Sequence, residues 1–267
     1  MKTSNAATEA QPSAVRERPI LFSAPMVRAI LEGRKTQTRR VVKPQPHHGP
    51  VGEMVCLGGA DWAMDDGDLS GQFRCPYGVP GDRLWVREAW APNEGSAGGY
   101  IYRADVGEGS SGFYQADLKI GEWTHIAPRW RSSIHMPRWA SRITLRITDV
   151  RVERLQDISE ADAIAEGLYK SFPDEDDREW FRDWTEERTG EPPSPDEWAD
   201  FEVGVWMVPG VPQGWGLTKA ERRRDQWAPT PVFAYRQLWN HINGPGSWDA
   251  NPWVWVVTFE RETGSTS

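Results

Sequence analysis

The chain has 267 residues, 38% of them hydrophobic, long enough to bury a full core as one elaborated domain or a domain with a large insertion. No run approaches the roughly 18 consecutive apolar residues of a membrane span, and residues 1–18 lack the apolar core of a secretory leader, so a cytoplasmic protein with a disordered N-terminal tail is expected. A net charge of −8 argues against a protein that coats nucleic acid non-specifically, and two cysteines, Cys56 and Cys75, make no disulfide framework.

The acidity is unevenly distributed. Residues 169–230 carry 15 acidic and 8 basic side chains, a balance of −7, which leaves about −1 for the other 205 residues. A near-neutral body with local basic clusters, such as Arg34-Lys35 and Arg39-Arg40, is compatible with nucleotide binding. Sixteen tryptophans are a second departure from ordinary composition. Most must fill a β-rich core, but each also offers a stacking face, and Trp85, Trp90, Trp130 and Trp139 are candidates for base stacking.

In chain order, Ser23 and Pro25 open a short helix whose apolar stripe is Met26, Val27, Ile30 and Leu31, and Gly33 stands where a left-handed cap ends it. A cationic strand follows through Arg34–Val42 and stops at Pro44 and Pro46. After a Gly/Asp/Pro-rich excursion over 47–80, the Pro80-Gly81-Asp82 turn leads into a strand over 83–90. A Gly/Ser-rich stretch (93–113) holds a short strand at 100–103, and 130–139 reads as a loop packed under aromatics. Alternation of Ile143, Leu145 and Ile147 with Thr144, Arg146 and Thr148 predicts a half-buried strand over 143–152.

Ser159 and Asp162 form a capping box at the start of a helix that ends at Gly167, with Glu166 in its last turn. The acidic segment 169–230, with helical fragments around 175–188 and 195–203, reads as an insertion. A helix over 231–242 and a continuous apolar strand over 253–259, buried on both faces, close the fold before a short tail at 261–267. The order predicts an α+β fold around a small curved sheet or barrel, with 19–168 as its core and 231–260 as its closing helix and strand.

Gly33-x-Lys35-x-x-Thr38-x-Arg40 resembles the signature of the ASCH family, and Gly81-Asp82-Arg83-Leu84-Trp85-Val86-Arg87 is similar to the family's second strand motif. The helix ending Ala165-Glu166-Gly167 and the closing strand fit as well, in a chain that looks like the large members found in bacteriophages and prophages. The resemblance implies a PUA-like β-barrel with a cleft over the lysine, serving a nucleoside, nucleotide or modified base, with RNA or single-stranded nucleic acid as an alternative ligand.

A bacterial branch of that family hydrolyses acetylcytidine with a lysine, a threonine three residues on, and a glutamate near the end of the downstream helix. The matching positions are Lys35, Thr38 and Glu166. The implied activity is an amidohydrolase needing neither metal nor cofactor, with Arg40, Arg87, Glu88, Trp85 and Trp90 as candidate ligand contacts. An amidase must activate a weak hydroxyl nucleophile with a neutral base, which burial of a lysine favours. Residues 35 and 38 would face opposite sides of an ideal strand, so the turn after Gly33 or a bulge has to bring them together.

Two further functions are compatible with the sequence: a non-catalytic module binding RNA or modified DNA, and an interaction protein using the acidic insertion. His47, His48, Cys56 and Cys75 match no standard zinc spacing. Glu221–Asp225 reads as a solvated helix face, and Ser132, Ser133 and His135 lack the setting of a nucleophile elbow.

Overall fold

A computed structural model describes residues 14–46, 54–58, 60–64, 73–93, 99–106, 113–117, 122–126, 129–171, 175–195, 205–207 and 230–263. The fold is mixed α+β. Its framework is a five-stranded sheet built from β1 (Glu17–Leu21), β2 (Gln37–Val41), β6 (Arg83–Arg87), β11 (Thr144–Arg154) and β14 (Trp253–Arg261), in the order β1-β6-β11-β14-β2. β1 and β6 run parallel, and every other neighbouring pair is antiparallel.

The sheet is not closed into a barrel. β1 and β2 are its two edges, with no ladder between them. They nevertheless approach at one end, where Arg40 of β2 donates to the carbonyl of Leu21 in β1 at 2.7 Å. Part of this curl is built into β11. Its first residues pair with both β6 and β14, and the register then shifts between Ile147 and Asp149, which leaves Thr148 extra and bends the strand.

Apolar patterning accounts for the core. Trp253, Val254, Trp255, Val256 and Val257 are all buried, as a strand with neighbours on both edges and cover on both faces demands. Leu145 and Ile147 are buried while Arg146 is exposed, the alternation expected of β11. Helix α1 (Ala24–Leu31) buries Met26, Val27, Ala29 and Ile30 against the sheet. Helix α2 (Glu160–Ala165) is capped by Ser159, whose hydroxyl accepts from the Asp162 N–H at 3.1 Å.

Several boundaries differ from expectation. β1 begins at Glu17, inside the stretch expected to be a tail, because its parallel ladder with β6 orders it. Pro19 is tolerated there because the strand lies at a sheet edge. The cationic strand is shorter than expected: Lys35 lies outside β2 and makes an isolated bridge instead. The excursion over 47–80 contains a small sheet of β3 (Met54–Gly58), β4 (Asp61–Met64) and β5 (Phe73–Arg74). β7 (Trp90–Pro92) pairs with β8 (Tyr100–Tyr102), and β9 (Phe113–Asp117) with β10 (Glu122–Ile126).

Within 169–230, β12 (Tyr169–Ser171) pairs with β13 (Val205–Met207), and helix α3 (Glu175–Thr189) lies between them in sequence. Of the helical fragment expected at 195–203 only Pro195, in helix, is described; the rest of it, the Glu221–Asp225 cluster, His47 and His48 lie outside the described residues. Helix α4 (Pro231–Asn243) is capped by the Thr230 hydroxyl and packs against α2. Among the described residues, no helix is long and apolar enough to cross a membrane.

Candidate functional site

Two helix ends meet to form the site. Gly33 (φ +77°) ends α1 and lets the Arg34 and Lys35 N–H groups turn back onto the carbonyl of Ala29, at 2.9 and 3.0 Å. Gly167 (φ +103°) ends α2 in the same way. The two turns then bridge: the Thr36 N–H donates to Ala165 O at 2.9 Å, Lys35 pairs with Glu166, and the Arg34 guanidinium donates to Gly167 O at 2.6 Å. Glycine is needed at 167 for space as well as for φ, since a Cβ there would lie 3.1 Å from the Cβ atoms of Ala29 and Lys35.

This backbone bridge aligns the side chains. Lys35 and Glu166 are 4% and 3% exposed, and the Lys35 Nζ donates to Glu166 Oε2 at 2.7 Å and to Glu166 O at 2.9 Å. The other carboxylate oxygen, Oε1, lies 3.5 Å from the guanidinium of Arg39, whose side chain is fully buried. Arg39 is held in turn by Gln37 Oε1 (2.5 Å), Glu153 (2.5 Å) and Asp162 (3.2 Å), and Arg151 closes the network onto Glu153 and Asp162. Three cations thus face three carboxylates, the condition under which such burial is tolerable.

Above this network lies a cavity of about 200 Å³. Lys35, Thr38, Arg39, Arg40 and Glu166 supply its polar wall, with Phe22, Met26, Tyr235, Leu238 and Trp239 among its apolar and aromatic ones. Ligand pockets for drug-sized molecules are commonly ~300–1,000 Å³, so this one suits a single ring system. Lys35 and Thr38 share it because Lys35 belongs to the turn and Thr38 to β2, which resolves their odd spacing. Thr38 is 3% exposed, and its side of β2 forms part of the cavity wall beside Lys35.

Desolvation pulls the Lys35 ammonium below its ordinary pKa, Glu166 opposes that shift, and the nearby Arg40 and Arg39 add to it. Tyr235 is pushed well above the usual phenol range by burial and by the negative charge of Glu166, so at neutral pH it is a hydroxyl donor. Phe22 presents its ring to both Lys35 (5.6 Å) and Arg40 (5.4 Å). Arg40 adds a cation that no carboxylate offsets among the described residues, which favours a ligand with a carbonyl or phosphate oxygen.

Of the expected site residues, Lys35, Thr38, Glu166 and Arg40 line the cavity, and Trp85, Arg87, Glu88 and Trp90 do not. These four follow one another on β6 and into β7, beyond the cavity wall. The Arg87 guanidinium stacks over Trp85 at 5.3 Å and donates to the carbonyls of Met136 and Ile134. Glu88 is buried against Arg142, and Trp90 is buried with Met136 and Ala140 in a separate cluster. Ser132, Ser133 and His135 sit in a short turn outside the cavity.

Arg39 and Tyr235 are the functional candidates that motif reading passed over. Tyr235 was accessible to it, since it shares a helix face with Leu238 and Trp239. Cys56 is exposed and Cys75 buried, and no group of three or more metal-ligating side chains occurs among the described residues. No protein-family model, curated protein or solved structure matches the chain.

Proposed function

We propose that this protein is an ASCH-type amidohydrolase, a PUA-like fold with an open sheet, that removes an acyl group from the exocyclic amine of a cytidine-type nucleoside or base. The observation that carries this reading is the convergence of Lys35, Thr38 and Glu166 on one base-sized cavity, with a buried, carboxylate-paired amine beside a threonine in its wall. The seam between the sheet edges, strapped by Arg40, supports kinship with small barrels.

Neutral Lys35 takes the Thr38 proton as Thr38 Oγ1 bonds to the acyl carbon. The tetrahedral intermediate collapses with cleavage of the C–N bond, and the Lys35 ammonium returns the proton to the departing nitrogen. The free base leaves, and the acyl group remains as a Thr38 ester. Water, giving one proton to Lys35, adds to the ester carbon. That intermediate collapses with cleavage of the bond to Thr38 Oγ1, Lys35 returns the proton to that oxygen, and the carboxylic acid is released with the Thr38 hydroxyl and the neutral amine restored. Glu166 orients the Lys35 amine, and Tyr235 and Arg40 are donors available to the carbonyl oxygen. The test is incubation with acetylcytidine, free and within an oligonucleotide, with chromatographic detection of cytidine.

A second reading, non-catalytic binding of a nucleotide or modified base, is favoured by one observation. Two hydrogen bonds to Glu166 hold the Lys35 amine as a cation suited to a phosphate or carbonyl. Calorimetric binding without turnover is its signature.

A further inference from the structure

We infer that a second face of the molecule, built on β7, β8 and residues 129–142, is a platform for single-stranded nucleic acid. Its centre is an aromatic cluster in which Trp90, Tyr100 and Trp139 contact one another at 5.2–5.7 Å between ring centroids. Trp90 is buried and forms the base, while Trp139 is 66% and Tyr100 43% exposed. An indole that open to water gains little for folding, and its free face is the surface on which a base stacks.

Arginines interleave the rings. Arg131 lies over Trp90 at 5.0 Å and Arg87 over Trp85 at 5.3 Å, and neither has a carboxylate partner among the described residues. In a chain of net charge −8, unneutralised cations beside exposed rings are complementary to a phosphate backbone with unstacked bases. The cluster is also braced. Arg142 stacks on Tyr102 at 3.9 Å while bridging the buried Glu88 and Asp105, and the Tyr102 hydroxyl donates to Ala140 O at 2.9 Å. A braced platform loses little entropy when a strand docks.

The platform and the cavity adjoin. Arg87 pairs with Leu21, and its carbonyl accepts from the Phe22 N–H at 3.2 Å, so the strand that carries Arg87 backs the cavity wall formed by Leu21 and Phe22. The platform rests on its own residues and does not depend on the chemistry proposed for the cavity.

Fluorescence anisotropy with labelled oligo(U), oligo(dT) and a matched duplex reads the platform without turnover, so its failure and failure of the deacylase reading are distinguishable. One or both single strands are expected to bind more tightly than the duplex, and the tighter of the two identifies RNA or DNA as the source. Trp139→Ala is expected to weaken single-strand binding about tenfold, with Trp139→Phe recovering most of it. Arg131→Gln is expected to reduce the slope of log affinity against log salt by about 0.7. Binding unchanged in Trp139→Ala, preference for the duplex, or no single-strand binding at low salt would each overturn the platform, the last two leaving its exposed rings to a protein contact.

Discussion

Lys35 and Glu166 stand 131 positions apart and are joined twice, by a backbone bridge between two helix-ending turns and by a buried ion pair between their side chains. The backbone bridge fixes where the side chains start, so the ammonium reaches both the carboxylate and the carbonyl of the same residue. Positioning of this kind costs the pair no further ordering when a ligand arrives.

The pair is asymmetric, and stability measurements should show it. Lys35→Met leaves Glu166 with Arg39 as counter-ion, whereas Glu166→Leu leaves Lys35 buried beside Arg39 and Arg40 with no carboxylate in contact. Urea denaturation at neutral pH should find Glu166→Leu the more destabilised, by about 3–5 kcal/mol relative to wild type. In that variant the folded state binds the Lys35 proton more weakly than the unfolded chain does. Its stability therefore rises with pH between the depressed folded pKa and the ordinary lysine value.

Activity should depend on pH through the same amine. In the proposed mechanism Lys35 works neutral, and burial lowers its pKa, so the rate should rise towards alkaline pH with an apparent pKa below the ordinary lysine value. Glu166 holds the proton on, so Glu166→Gln should shift the rising limb to lower pH while lowering kcat. A pH–rate profile of both proteins checks the direction.

Thr38 offers a near-isosteric test. Thr38→Val keeps the volume and removes the hydroxyl, and kcat/KM should fall on the order of 10³-fold or more, with Thr38→Ser retaining part of the rate. Trapping the acyl group on wild type and its absence from Thr38→Val, read by intact mass, would locate the ester.

The two capping glycines separate conformation from space. Gly33→Ala meets a positive φ with no neighbour within 4 Å, and should cost about 1 kcal/mol. Gly167→Ala meets a positive φ and two Cβ atoms at 3.1 Å, one of them on Lys35. Thermal melts should show the larger loss in Gly167→Ala, and only that variant should lose activity beyond its loss of fold.

Asp82 gives an acid-side prediction. Its carboxylate accepts from the Arg16 N–H and the Arg18 guanidinium, tying β1 to the turn before β6, and these bonds outweigh desolvation to lower its pKa. The stability it contributes is present above the ordinary carboxylate pKa and is lost as pH falls through the folded value. Asp82→Asn should flatten that part of the stability–pH curve.

Local signals carried much of the site. Gly33, Gly167, the Ser159 cap and the apolar run at 253–257 are decided by neighbours in sequence, and all appear in the fold as read. What depends on distant partners was hidden. Arg39 looks like one more surface cation until Glu153 and Asp162 arrive from β11 and α2, 114 and 123 positions later. Sheet closure is equally non-local, and the five strands stay open because β1 pairs with β6 alone. Trp85, Arg87, Glu88 and Trp90 follow the motif in sequence, but β6 and β7 carry them outside the cavity.

Incubating the protein with acetylcytidine and separating the products tests whether Lys35, Thr38 and Glu166 form a deacylating site. Wild type should release cytidine and acetate in equal amounts, and Thr38→Val should release neither. Intact substrate at high enzyme concentration, with the nucleoside both free and within an oligonucleotide, would contradict it.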